Sequence, residues 1–109
     1  MFGIRPTGQT YIGKVDEGEL LSQCVIHDDS FHHVAVTKQG ARVIFCLDGV
    51  AAPALNFDAN FEFVTDAAVG ACVRPDTMVA SFWGVIDELC VFNRELSGEE
   101  IKGIYDSQK

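Results

Sequence analysis

Two adjacent histidines, His32 and His33, have side chains suited to acid–base chemistry or metal binding. They lie in a strand predicted over Phe31–Lys38, and successive strand residues point to opposite faces. The two imidazoles therefore cannot hold one metal ion together, and hydrogen-bonded structural roles are favoured over metal or catalytic roles. His27 and the two aspartates after it form a candidate polar cluster, which we interpret as a solvated turn before this strand.

Asp87 is the acidic residue whose predicted surroundings need an explanation. On a strand predicted over Phe82–Phe92 it shares one face with four apolar side chains, including Trp83 and Leu89. An unpaired carboxylate is costly there, so we expect backbone amides, an arginine or a calcium ion beside it, with hydrogen bonding favoured. Calcium takes about six to eight oxygen ligands, and one aspartate supplies few of them. The acidic run at 16–19 is interpreted as a solvated loop rather than a calcium site.

The composition excludes several classes of partner. The 109 residues, enough for one domain, carry 16 acidic and 8 basic side chains and a formal net charge of −8, and the basic residues are scattered singly. Nucleic acids and anionic membranes are bound by clustered lysine and arginine, so neither is expected. No apolar run approaches the roughly 20 residues of a membrane-spanning helix. The first residues lack the basic start and apolar core of a signal peptide.

The four cysteines, Cys24, Cys46, Cys72 and Cys90, include no C-x-x-C pair, so the usual zinc signature is absent. Each lies in an apolar stretch, where a free cysteine commonly acts as a small core residue, and four free thiols are favoured. For disulfides, three pairings are open and the sequence does not choose among them.

Short β-branched and aromatic runs separated by Gly, Asp and Asn recur about every ten residues, which is the pattern of an all-β sandwich or barrel. Strands are predicted at Phe2–Arg5, Thr10–Lys14, Leu20–Ile26, Phe31–Lys38, Ala41–Leu47, Phe61–Val64, Ala67–Val73 and Phe82–Phe92. The tight turn after Lys38 predicts an antiparallel hairpin, and Asp48-Gly49 predicts the next turn. The predicted core contains Phe31, Val34, Val36, Val43, Phe45, Leu47, Val69, Trp83, Ile86, Leu89, Val91, Ile101 and Ile104.

One short helix is predicted from Gly98 to about Ser107. Ser97 and Glu100 have the spacing of a capping box, in which each side chain bonds a backbone amide at the helix start. Apolar residues on either side of the cap, Leu96 and Ile101, have the spacing of a hydrophobic staple.

Two longer motifs resemble one family. The runs F-H-H-V-A-V-T at 31–37 and V-I-F-C-L-D-G at 43–49 resemble the W-H-H-V-A-V-T … V-x-L-Y-V-D-G hairpin of concanavalin A-like jelly rolls of the laminin G-like and pentraxin-like kind. The run G-V-I-D-E-L-C-V-F-N-R-E-L-S-G-E-E-I at 84–101 resembles that family's G-x-I-D-E-V-x-V-Y-N-R-A-L-S-x-E-E-I ending. Between them, A-A-V-G at 67–70 stands where the family usually has an L-x-I-G strand.

The resemblance implies an all-β, antiparallel two-sheet β-sandwich of the jelly-roll kind with one short C-terminal helix, as a single laminin G-like domain over 1–109. Family domains have more strands before the hairpin than the roughly 30 residues found here, so N-terminal strands are expected to be missing. Members are usually non-catalytic modules of extracellular proteins, which implies an extracellular location. The missing signal peptide and the low cysteine density leave the cytoplasm open as the alternative. Some jelly rolls of this superfamily hold a structural calcium ion at an aspartate that matches Asp87.

The expected function is a non-catalytic binding module, lectin-like or adhesion-like, that recognises carbohydrate or protein. No enzyme is expected, because the E-x-D-x-x-E strand of jelly-roll glucanases, the G-x-S-x-G elbow and the phosphate-binding loops are absent. No cofactor is expected beyond that calcium ion. Rings for stacking on sugars are sought in the less regular segments, at Tyr11, Phe57 and Phe61.

The alternative function is a structural or self-assembly protein without a small ligand, and a third is a fragment of a glycan-active enzyme. Because missing N-terminal strands would leave sheet edges unpaired, a homo-oligomer is expected, built by edge-strand pairing, strand exchange or sheet packing. Phe2–Lys14 is the segment expected to exchange, since no local partner is assigned to it.

Overall fold

The computed structural model describes residues 1–14, 17–59, 71–73, 79–81, 85–92 and 94–108. The chain forms two compact units, one made of Met1–Asn60 with Phe92–Lys109 and the other of Phe61–Val91. In the described residues the elements are β1 Phe2–Ile4, β2 Gln9–Lys14, β3 Gly18–Val25, β4 Val34–Gln39, β5 Arg42–Leu47, β6 Val50–Ala51, β7 Leu55–Asn56, β8 Ala71–Val73, β9 Val79–Ser81 and α1 Gly98–Gln108.

Sheet A of the first unit is the antiparallel meander β1-β2-β3. The cross-strand pair of Ile12 and Leu20 lies on its inner face. The register shifts between Gln9 and Tyr11, where β3 carries the extra residues of a bulge. Buried polar groups at this bulge are satisfied, because the Ser22 hydroxyl accepts hydrogen bonds from the Thr10 hydroxyl at 2.8 Å and the Cys24 amide at 2.6 Å. The segment that we expected to exchange between copies is therefore paired within its own chain.

Sheet B is built around β5, which pairs with β4 on one edge and with β6 and β7 on the other. On one face of β5, Val43 and Phe45 pack in a cluster with Ile12 and Cys24 of sheet A. On the other face, Cys46 packs against α1. A strand covered on both faces needs apolar side chains at successive positions, and this accounts for the unbroken run at 43–47.

Helix α1 lies on the outer face of sheet B and begins as the sequence predicts. The Glu100 amide donates to the Ser97 hydroxyl at 3.1 Å, and the Ser97 amide donates to the Glu100 carboxylate at 3.0 Å. Leu96 and Ile101 of the staple are both buried in the same cluster as Cys46. The capping box and the staple are confirmed, and together they set where the chain turns onto sheet B.

The second unit contains the hairpin β8–β9, in which Ala71 pairs with Ser81. The strand predicted over Phe82–Phe92 is wrong for its described part, because residues 85–92 lie in neither a strand nor a helix. Glu88 has φ 53°, a left-handed conformation that interrupts an extended strand. The apolar residues of this segment are exposed; they are Val85, Ile86, Leu89, Val91 and Phe92. The core positions predicted at Ile86, Leu89 and Val91 are therefore wrong. Phe61–Val64, Val69 and Trp83 fall outside the described residues.

The molecule is mostly β, with two antiparallel sheets face to face and one short C-terminal helix, so the predicted β-sandwich is confirmed. The predicted hairpin is present, with Gln39 paired to Arg42 across the turn. Its first strand begins at Val34, three residues later than predicted, and Phe31 is 73% exposed instead of buried in the core. Among the described thiols, Cys24, Cys46 and Cys90 are free, and Cys90 is exposed.

Candidate functional site

The connection between β3 and β4, here named the 26–33 loop, is irregular but internally bonded. Asp28 accepts hydrogen bonds from both the backbone amide and the hydroxyl of Ser30, at 3.1 and 2.7 Å. This is the local side-chain-to-backbone pattern by which aspartate stabilises a turn. The turn predicted before the hairpin is thus present, and its first carboxylate is engaged rather than simply solvated.

His32 connects this loop to the turn between β5 and β6. Its Nδ1 lies 2.7 Å from Oδ2 of Asp48, and its Nε2 lies 2.7 Å from Oδ1 of Asp28. The backbone amide of His33 donates to the other oxygen of Asp48 at 2.9 Å. The structural, hydrogen-bonded role predicted for His32 is confirmed. The reason differs, because both histidines precede β4 instead of alternating along it.

The turn that carries Asp48 has a left-handed backbone, with φ 50° at Asp48 and 80° at Gly49. Aspartate tolerates this conformation better than most side chains, and glycine accepts it freely. The His33 ring contacts the Tyr105 ring of α1, with centroids 6.0 Å apart and planes tilted by 53°. The sheet turn, the 26–33 loop and the helix therefore meet at this point.

The charges in this cluster support one another. The hydrogen bonds to Asp48 and then to Asp28 raise the pKa of His32 above its ordinary value. The Ser30 hydroxyl, followed by His32, lowers the pKa of Asp28 to about 2. Partial burial acts to raise the pKa of Asp48, but the bonds from His32 and the His33 amide outweigh it, so this pKa lies below its usual range. The cluster places one imidazole ring between two carboxylates, an arrangement that favours the protonated form of the ring.

A shallow groove of about 400 Å³ lies beside the start of the 26–33 loop. It is lined by Gln23, Cys24, Val25, His27, Leu47, Val50, Ala51 and Ala52. Its walls are apolar, with the His27 imidazole and the Gln23 amide as polar groups. That combination of an apolar surface and a few polar groups is typical of small-molecule sites, although this groove is open to solvent.

The structure does not bring the sequence-predicted aromatic residues together. Tyr11 lies on the outer face of sheet A, opposite Gly3, and the Arg5 guanidinium is stacked 4.8 Å from its ring centroid. Its hydroxyl donates to the Met1 sulfur at 3.0 Å. Phe57 follows β7 and is partly buried against the core. Phe61 lies outside the described residues.

Asp87, the predicted calcium ligand, is exposed in the segment 85–92. The desolvation argument for a buried partner therefore does not apply, and a calcium ion there stays a prediction. Within the part of the chain that the structure describes, no three His, Cys, Asp or Glu side chains are grouped so that they could hold a metal ion. In the His32 cluster the two carboxylates lie on opposite nitrogens of one ring, so the three groups do not converge on a common point.

Sequence reasoning missed two features of this region. Phe31 was assigned to the core by strand alternation, and the late start of β4 places its ring in solvent instead. Asp48 was identified only as a turn residue, although its carboxylate organises the 26–33 loop. The spacing of H-H and D-G in the hairpin motif was the available signal, but only the pairing of Val34 with Leu47 brings the two motifs side by side.

Comparison with known proteins agrees with this architecture. A laminin G family model, described as belonging to the concanavalin A-like lectin/glucanases superfamily, matches residues 1–102. The chain belongs to this superfamily. The matched residues of this laminin G-like chain include both the hairpin motif and the helix cap, the two places where the sequence resembles the family. No match was found among curated proteins.

One solved structure is similar to this laminin G-like chain: the 2.1 Å crystal structure of an S-layer domain-containing protein (residues 221–444) from Clostridium thermocellum ATCC 27405. The TM-score is 0.63 and the sequence identity is 22%, a level that shows the shared fold alone. The alignment covers 89% of this chain and 50% of that one, so this chain spans about half the length of the structure that it matches.

In the described residues, no helix is long and apolar enough to cross a membrane.

Proposed function

We propose that this laminin G-like chain is a non-catalytic binding module that recognises carbohydrate with the ring of Phe31. The proposal rests on the Phe31 ring, which is 73% exposed. The residues that follow it in the loop, His32 and His33, are held by hydrogen bonds to Asp48 and Asp28. A loop held in place loses little conformational freedom when a ligand binds, which favours affinity. Superfamily membership supports a binding or structural module.

The surroundings of Phe31 suit a sugar. The ring offers an apolar face for the C–H face of a pyranose, and the exposed Asp29 carboxylate and His27 imidazole are within the same loop as hydrogen-bonding partners for hydroxyl groups. The groove that His27 lines also contains Val50 and Ala51 of β6. Tyr11, Phe57 and Phe61 stay predicted sugar contacts, and a structural calcium ion at Asp87 stays a predicted ligand; the proposal for Phe31 does not depend on them.

A glycan array with the purified chain, read with and without calcium, tests this proposal. We expect binding to at least one glycan class and a loss of about tenfold or more in affinity for Phe31→Ala, the factor that corresponds to about 1.4 kcal/mol. Phe2→Ala, at an exposed phenylalanine of sheet A, is the matched control and should bind as the parent does. Absence of any bound glycan in either condition would contradict the sugar proposal. Equal binding by Phe31→Ala would remove Phe31 from it.

A second function, self-assembly, is favoured by the exposed apolar segment at 85–92. Val85, Leu89 and Val91 are each at least 60% exposed, and a contiguous apolar patch of this kind is typical of protein–protein contacts. We propose that copies of the chain associate through this segment as a homodimer or a higher oligomer. Light scattering over a concentration series should then give masses above 11.9 kDa that fall toward this value for Val91→Lys. A constant mass near 11.9 kDa would contradict assembly.

The two functions separate in one set of samples. Sugar binding through Phe31 should persist in a dilute monomer, whereas assembly should vary with protein concentration. Phe31→Ala should leave the mass unchanged, and Val91→Lys should leave glycan binding unchanged. Neither proposal includes catalysis, in keeping with the superfamily's binding and structural modules.

A further inference from the structure

The 26–33 loop is attached to the rest of its unit by a contact that depends on one proton. Each ring nitrogen of His32 lies 2.7 Å from a carboxylate oxygen, Nδ1 from Asp48 and Nε2 from Asp28. An ionised carboxylate only accepts hydrogen bonds, so both contacts need an N–H on the ring, and a neutral imidazole has only one. With neutral His32, one nitrogen would turn its lone pair toward an anionic oxygen at hydrogen-bond distance, which is repulsive.

We infer that the 26–33 loop contains a proton-dependent latch: its 28–30 turn is held to His32, and through His32 to the β5–β6 turn, while His32 is an imidazolium, and it is released from His32 when His32 loses its proton. Asp28 is the contact that breaks, because its side chain is 57% exposed and belongs to the loop itself. Asp48 is 33% exposed and is also held by the His33 amide. Neutral His32 can still donate its one N–H to Asp48.

The other charged groups near the latch do not replace this proton. The ion-pair partner of Asp28 and of Asp48 among the described residues is His32. From α1, Tyr105 contacts the His33 ring. Lys102 of the same helix has its stem near Gly49, and its ammonium group pairs with Asp106 at 2.6 Å. Nδ1 of His33 is buried without a hydrogen-bond partner among the described residues, so this atom bonds neither carboxylate. The coulombic effect of His33 on Asp48 lowers the pKa of that carboxyl in the same direction as His32 does.

The direction of the pH dependence follows from the shifted groups. The pKa of His32 is raised in the closed state, so its contribution is complete below about pH 6.5, the ordinary histidine value, and is lost as the pH rises through the raised pKa. The pKa values of Asp28 and Asp48 are lowered, so their contributions are complete above about pH 4 and are lost in stronger acid. The latch is therefore tightest from about pH 4 to 6.5 and opens on the alkaline side. Any effect on ligand binding rests on the proposed function of Phe31, whereas the movement of the loop does not.

Amide hydrogen exchange by NMR from pH 5 to 9, corrected for the intrinsic rate, tests the latch without any ligand. We expect protection of the Ser30 amide, which is bonded to Asp28, to fall through the same pH range in which the His32 ring nitrogens titrate. The His33 amide, which is bonded to Asp48, and the amides of β5 should stay protected. If closing the loop raises the pKa of His32 by one, protection at high pH should be about tenfold lower than protection at pH 5. Protection that does not change with pH, or a neutral His32 at pH 6, would overturn the inference.

Three variants distinguish a latch from a merely structural histidine. His32→Gln removes the charge and should leave the loop weakly protected at every pH. Asp28→Asn should keep the loop closed at high pH, because its amide can donate to the bare nitrogen of a neutral imidazole. His27→Gln, a change at an exposed histidine of the same loop, should show the same loop protection as the parent at every pH. If Asp28→Asn opens with pH as the parent does, the latch is wrong; a glycan array without binders would remove the proposed function and leave this result unaffected.

Discussion

Gly49 and Tyr105 touch so closely that the turn between β5 and β6 has no room for a larger residue. A Cβ atom at Gly49 would lie 2.9 Å from Cδ2 of the Tyr105 ring, in a backbone with φ 80°. Glycine is therefore required here for two reasons: the left-handed backbone conformation, and the close approach of α1, which leaves no space for a side chain. This contact packs α1 against the turn that carries Asp48, and Asp48 in turn bonds His32 and the His33 amide of the 26–33 loop.

Gly49→Ala is expected to destabilise the protein more than Gly40→Ala. Gly40 also has a left-handed backbone, with φ 58°, but a Cβ there meets nothing within 4 Å. Its alanine variant should lose only the conformational cost of about 1–2 kcal/mol in the free energy of unfolding. The Gly49 variant adds the overlap with Tyr105, and we expect at least about 1 kcal/mol more. Urea unfolding of both variants measures the difference, and equal losses would show that the ring moves aside without cost.

The capping box at the start of α1 should be measurable in the stability of the whole unit. Ser97→Ala removes the acceptor for the Glu100 amide and is expected to lower the free energy of unfolding by about 1 kcal/mol. Ser107→Ala, which removes a hydroxyl bonded to the Ile104 carbonyl at the other end of the helix, is the control and should change little. Thermal unfolding followed by circular dichroism reads both. A larger loss at Ser107 would contradict the assignment of the cap.

Ile101 should contribute more to stability than Ile104, its neighbour one turn later. Ile101 is 3% exposed in the cluster with Cys46 and Leu96, whereas Ile104 is only partly buried at its edge. Ile101→Ala is expected to cost about 2–5 kcal/mol, the usual range for emptying a buried site, and Ile104→Ala clearly less. If Ile101→Ala does not fold, Ile101→Val should still show a loss of about 1 kcal/mol in urea. Equal effects at the two positions would mean that α1 is not seated on sheet B as described.

The cysteines should differ sharply in reactivity. Cys90 is exposed, whereas Cys24 and Cys46 are buried, and burial raises the pKa of the Cys46 thiol. Because the thiolate is the reactive form, alkylation of the native protein should modify Cys90 first and spare both buried thiols until denaturant is added. Peptide mass spectrometry after a timed iodoacetamide pulse locates the label. Early labelling of Cys46 would contradict its position between sheet B and α1.

Local sequence signals were sufficient for much of the fold. The capping box, the staple and the D-G turn are written in residues a few positions apart, and each is present where it was predicted. The hairpin of β4 and β5 follows from two apolar runs joined by a tight turn, so its register was also within reach of the sequence. These features depend on short-range geometry, which the neighbouring residues determine among themselves.

Strand alternation failed at Phe31 and at 85–92, where an apolar pattern alone predicted buried strands. A strand is buried only if another element covers it, and alternation says which faces differ without saying what lies against them. The bonds between His32 and Asp48 hold residues 31–33 out of the strand. Glu88 adopts a left-handed backbone within the second segment.

The sequence by itself determined the fold class, the helix with its cap, and the absence of a recognisable catalytic motif. Only the tertiary structure decided which side chains meet. His32 and Asp48 are 16 residues apart, and the pairing of β4 with β5 brings them together. The hydrogen bonding of His32 depends on two carboxylates that approach its ring from different segments. No periodicity in the chain encodes that encounter, because it is produced by packing between elements rather than by the preferences of each one.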